Sequence, residues 1–105
     1  MAVPEIVLSE DYESAALEWL YAKVKALRTV LAQAGIEDEE TQRNVCEVFF
    51  FDLTVELDGD VAGQQGPRPR LTFEQDDRVL LPEDETFELH DYTIGVVEEV
   101  FDDYT

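Results

Sequence analysis

Positive charge is what this chain has least of. Its 105 residues hold 7 Lys and Arg against 26 Asp and Glu, a formal net charge of −19. From Leu80 to Thr105 there is no Lys or Arg at all. That stretch carries Glu83, Asp84, Glu85, Glu88, Asp91, Glu98, Glu99, Asp102 and Asp103. Such a field repels nucleic-acid phosphates and anionic membrane surfaces and attracts basic partners. The expected partner class is therefore a basic protein, with no nucleic acid and no membrane.

Other scarcities narrow the reading further. Cys46 is the one cysteine, so no internal disulfide forms, which fits a reducing compartment. His90 is the one histidine, and neither a CxxC nor an HExxH pattern occurs, so no cofactor and no dedicated metal site is expected. Asp58-Gly59-Asp60 resembles the opening of a calcium loop, with Gly63 at the turn position. That loop needs an oxygen ligand where Ala62 stands and a Glu where Pro69 stands, so both requirements fail. No apolar run approaches the ~20 residues that span a bilayer. The start, Met1-Ala2-Val3-Pro4-Glu5, lacks the positive segment of a secretory signal. A cytoplasmic protein is the expectation. Lys23 and Lys25 are the only lysines. Salt adaptation and an Arg-favouring genome both account for that.

What is present is a core. Apolar residues make up 45 %, with 6 Phe, 4 Tyr and 1 Trp, which disordered acidic chains lack. The length suits one domain, residues 1–105.

Residues 3–8 suit an edge strand or arm, since Pro4 disfavours a central strand. Leu17, Leu20, Val24, Leu27, Leu31 and Ala34 recur at three- and four-residue intervals, one face of a helix over residues 10–34. Ser9 or a nearby acid caps its start. Gly35 ends it, as the left-handed residue of a Schellman motif that brings Ile36 onto Leu31. Trp19, Ala26 and Val30 broaden the stripe, so a core-packing helix is preferred over a coiled-coil seam. Asp38-Glu39-Glu40 then caps a second helix, antiparallel to the first.

Residues 48–57 read two ways. Cys46, Phe49, Phe50, Leu53 and Leu57 make a helical stripe, whereas Phe51, Leu53, Val55 and Leu57 alternate as a strand does. The unbroken run from a good cap favours a helix through about Leu57. Residues 58–70 form a loop by their Gly and Pro content. Leu71–Glu74 and Arg78–Leu81 flank a turn at Gln75–Asp77, a hairpin. Phe87 and Leu89 suit a further short strand. Ile94, Val97, Phe101 and Tyr104 mark a last helix over 92–103, capped by Asp91 and weakened by Gly95 by ~1 kcal/mol relative to Ala.

Cys46 and His90 have the residue types of a nucleophile and its base, but nothing in the spacing joins them, and a free Cys on an apolar stripe is a small hydrophobe. Adjacent carboxylate pairs arise from composition alone. Arg68 and Arg70 lie together in a Pro-stiffened loop, suited to a phosphate, an acidic peptide or the chain's own acids. On the last helix Glu99, Asp102 and Asp103 face away from Ile94, Val97 and Phe101, with Glu98 on the flank.

The sequence therefore predicts an α+β fold: an N-terminal antiparallel helical hairpin, a small antiparallel sheet at about residues 70–81, and a C-terminal helix. The expected function is a non-enzymatic acidic module. It binds a basic protein, as small inhibitor or immunity-type proteins do, through Glu98, Glu99, Asp102 and Asp103. One alternative is a structural protein that self-associates as a homo-oligomer. Another is a small enzyme or ligand-binding domain with an apolar pocket near Trp19, Phe49, Phe50 and Phe51.

Overall fold

The computed structural model describes residues 4–59 and 66–102. Six elements run in the order β1 (Glu5–Ser9), α1 (Asp11–Gln33), α2 (Glu39–Leu57), β2 (Phe73–Gln75), β3 (Arg78–Pro82) and α3 (His90–Asp102). The architecture is α+β.

Helix α1 starts where the Ser9 hydroxyl accepts the Asp11 N–H at 3.1 Å. It stops at Gly35, whose φ of +93° is open to glycine at little cost. The Ile36 N–H reaches the Leu31 carbonyl at 2.9 Å and the Gly35 N–H reaches Ala32 at 3.1 Å, the bond pair of the expected Schellman motif. Asp38 then caps α2, accepting both the N–H and the hydroxyl of Thr41. Buried Gln42 donates to the Ile36 carbonyl at 2.6 Å and braces the link between the helices.

The segment that read as helix or strand is helix. Gln42, Cys46, Phe50 and Thr54 are its buried residues, a strict four-residue repeat. The β-branched Thr54 is accommodated because its hydroxyl bonds back to the Phe50 carbonyl at 2.7 Å. Phe49 and Phe51 lie outside the core and are half exposed, their rings edge-on to Phe50 and His90.

The sheet corrects the sequence reading in two places. It is mixed, not antiparallel, with order β1-β3-β2: β1 runs parallel to β3, and only β2 is antiparallel to it. Local patterning shows a hairpin, but it cannot show that a strand more than sixty residues earlier joins its far edge. Phe87 and Leu89 form no strand; both turn inward just before α3. The β2–β3 turn places Asp76 and Asp77 at φ of +52° and +63°, the two left-handed positions of a tight hairpin loop.

The three helices pack on one another, and α1 lies against β3. Tyr12, Ala16, Leu20 and Val24 of α1 meet Leu80, Leu89, Val96, Val97, Val100 and Phe101 in one core. The buried stripe of α1 is thus turned from the expected one: Leu17, Leu27 and Leu31 are half-buried and Ala34 is exposed. The Tyr12 ring stands edge-on to Phe73 and Phe87, and its hydroxyl donates to the Leu71 carbonyl at 2.7 Å.

Candidate functional site

Helix α3 begins on a cap from elsewhere in the chain. The Asp58 carboxylate, one residue past α2, accepts the N–H of Leu89 at 3.1 Å and of His90 at 2.8 Å. It also meets His90 Nδ1 at 2.8 Å. Asp91, expected to be the cap, lies in the first helical turn instead. A remote carboxylate does better here because it also closes α2 onto α3. One helical turn further in, the Thr54 and Thr93 hydroxyls share a buried hydrogen bond of 2.8 Å, which strengthens the same junction.

His90 is caged by acid. Its Nε2 lies 3.3 Å from Glu88 and 3.5 Å from Asp91, while Nδ1 takes Asp58. Burial alone would lower its pKa. The Asp58 hydrogen bond and the charges of Asp58, Asp91 and Glu88 outweigh that and raise it. Glu88, His90 and Asp91 each offer one donor atom within 4.8 Å of the others, a set that a divalent ion could use and that the sequence reading did not assemble. The same three side chains also satisfy one another as an ion-pair cluster.

Cys46 and His90 are not brought together. His90 is bound to Asp58, which lies twelve residues after Cys46, about 18 Å further along α2 by helical rise. Burial pushes the Cys46 thiol up to about 11, against a smaller lowering by Arg28. The thiol is therefore neutral near pH 7 and packs as a core hydrophobe.

The residues read as an acidic surface lie on α3. Glu98, Glu99 and Asp102 are exposed, on the side away from Val97 and Phe101. Asp103 lies outside the described residues. Ile94, expected on the core face, is exposed; Thr93, Val96 and Val100 take the buried positions. Two cations belong to this end of α3. Arg28 sits over the Phe101 ring at 4.3 Å and donates to the Val100 carbonyl at 3.2 Å, and Arg43 lies 6.0 Å from the same ring. A cation bonded to a C-terminal carbonyl suits the negative end of the helix.

Beside this surface, α1 and α3 leave a groove of about 640 Å³. Leu17, Tyr21, Tyr92, Gly95 and Val96 line it, and Glu18, Asp91 and Glu99 supply its charge. Tyr92 is held by stacking on Phe87, with ring centroids 5.5 Å apart. The sequence reading missed this groove. Its one visible signal was Gly95, a poor helix former in the middle of the helix.

A second, more polar cavity of about 320 Å³ includes Tyr12, Asp58, Arg68, Arg70, Glu85 and Glu88. Arg68 is tied to the Gly59 carbonyl at 3.2 Å, so this arginine serves its own fold. The aromatic residues proposed to line an apolar pocket do not converge on one, although Phe49 and Phe50 stand edge-on with ring centroids 5.1 Å apart. Phe50 is buried in the core, and Phe49 borders an open depression with Val45, Val48 and Asp52. No helix of the described residues is long and apolar enough to cross a membrane. In comparison with known proteins, the chain matches no protein family, no curated protein and no solved structure.

Proposed function

We propose that this chain is a non-enzymatic interaction module whose acidic α3 surface binds a basic protein partner, in the manner of a small inhibitor or immunity-type protein. The observation that carries this reading is the placement of Glu98 and Glu99. Both are exposed, and neither has a salt-bridge partner among the described residues. Carboxylates so placed steer a cationic partner over a distance of about a Debye length, ~10 Å at 0.1 M salt. The two residue types that first suggest catalysis also support the reading: Cys46 is buried and protonated, and both ring nitrogens of His90 face carboxylates.

The test changes Glu98, Glu99, Asp102 and Asp103 to their amides, which moves the net charge from −19 to −15 by removing four charges. A control carries the same four-charge change at exposed Glu37, Glu39, Glu40 and Glu74. With lysozyme, a small basic protein, as the probe, association of the α3 variant is expected to slow several-fold at low salt. The control should slow less, and the difference should vanish near 1 M salt, where the Debye length is ~3 Å. Equal slowing in both variants would reduce the α3 surface to an undistinguished part of the net charge.

A further inference from the structure

We infer that the α1/α3 groove is a docking cleft for an amphipathic helix of a basic partner, with one apolar side chain of that helix seated over Gly95; this rests on the acidic-module reading and names how the partner is held.

Gly95 carries the argument. It stands mid-helix in α3, where glycine is the least favoured residue after proline. A close neighbour often explains such a glycine, because a Cβ would clash. Here a Cβ built at Gly95 meets nothing within 4 Å. Its φ is not in the left-handed range either. Among the described residues, neither packing nor backbone geometry calls for glycine at this position. What the missing side chain does is leave the floor of the groove open. The walls above that floor are apolar and aromatic, from Leu17, Tyr21, Tyr92 and Val96. Tyr92 is pre-positioned by its stack on Phe87, which lowers the ordering cost of binding.

Charge selects the occupant. Glu18 from α1 and Asp91 and Glu99 from α3 bring acid to both walls. Lys25, whose ammonium lies 5.3 Å from the Tyr21 ring centre, is not among the residues that line the groove, so the charge of the lining is acidic. Apolar and aromatic walls flanked by acid are complementary to a helix with leucine-sized residues on one face and Lys or Arg flanking them. The groove adjoins the α3 surface through Glu99, which belongs to both, so steering and seating are continuous.

The experiment uses two probes: a synthetic amphipathic peptide of leucine and lysine, and an oligolysine of the same charge. Gly95→Gln is the main variant, because glutamine fills the groove without altering the charge of its walls. Wild-type protein is expected to bind the amphipathic peptide with amide shifts at Tyr21, Tyr92 and Gly95. Gly95→Gln is expected to weaken that binding by roughly 10- to 100-fold, the loss of one buried leucine-sized side chain. Oligolysine binding should be unchanged. Gly95→Ala should stay folded, with a melting temperature raised by about 4–8 °C. If Gly95→Gln does not fold, Tyr92→Ser serves in its place: it removes an exposed aromatic wall of the groove without altering its charge, and is expected to weaken the peptide by about tenfold while oligolysine binding is unchanged. Wild-type affinity of the folded variant for the amphipathic peptide overturns the cleft and leaves the acidic-surface reading standing. Failure of both probes to bind wild-type protein at low salt overturns both readings.

Discussion

The two ends of α3 use negative charge in opposite ways. At the N-terminal end Asp58, Glu88 and Asp91 gather around His90, and Asp58 also takes two backbone N–H groups. There the carboxylates are part of the fold. They sit at the positive end of a helix, around an imidazole whose side chain is only 18 % exposed. At the C-terminal end Glu98 and Glu99 stand in solvent near the negative end of the same helix, and Arg28 reaches the Val100 carbonyl. Carboxylates there oppose the helix dipole. Acid that stabilises a fold and acid that is available to a partner are thus separated by about two helical turns. The difference lies in what each group touches, since the residue types are the same.

Removing Asp58 gives the largest expected effect. Asp58→Ala leaves the Leu89 and His90 N–H groups and the imidazole without their acceptor. Urea denaturation is expected to show a loss of about 2–4 kcal/mol, with Asp58→Asn between that variant and wild type. A loss below about 0.5 kcal/mol would mean that the N-terminal end of α3 is held by other contacts, and the contrast between the ends would disappear.

His90 sharpens the same comparison through pH. Its pKa in the folded protein is raised above the unfolded value near 6.5, so the folded state binds the proton more tightly. The resulting stabilisation is full below about pH 6.5 and is lost as pH rises through the folded pKa. The acidic surface also gains from protonation at low pH, so the measurement is the difference between wild type and His90→Gln. That difference should shrink from pH 6 toward pH 9. A difference that grows with pH would show that burial, not the three carboxylates, governs the imidazole.

Much of the fold could be read from local signals, because those signals are strong. Gly35 with Leu31 and Ile36 specifies a helix end, Asp38 specifies a helix start, and Asp76-Asp77 specifies a turn. What could not be read depends on distant partners. The parallel pairing of β1 with β3 joins Val7 to Leu80. The cap of α3 comes from Asp58, more than thirty residues away. The buried Thr54 and Thr93 hydroxyls meet across α2 and α3, a contact that local sequence does not show. The candidate site was half legible. Helical periodicity placed Glu99 and Asp102 outward and Glu98 on the flank, but the groove needs α1 and α3 side by side. Gly95 was visible as a weak point in a helix, and its meaning came only from the empty space beside it.

The smallest effect is expected at the C-terminal end, and its sign matters more than its size. Glu98→Gln with Glu99→Gln removes two charges from the last turns of α3 and leaves the shape nearly unchanged. Glu98 lies four residues before Asp102, so this pair repels across one helical turn. Both glutamates also face the negative end of the helix dipole. Neutralising them should stabilise the fold by roughly 0.3–1 kcal/mol at low salt, and the gain should fade as salt screens it. The chemical change is the same as in Asp58→Asn, and the expected sign is opposite. A destabilised double variant would mean that these glutamates, like Asp58, are engaged by their own fold. They would then be poor candidates for steering a partner, and the binding surface would have to be sought elsewhere on the molecule, beginning with the groove wall at Glu18.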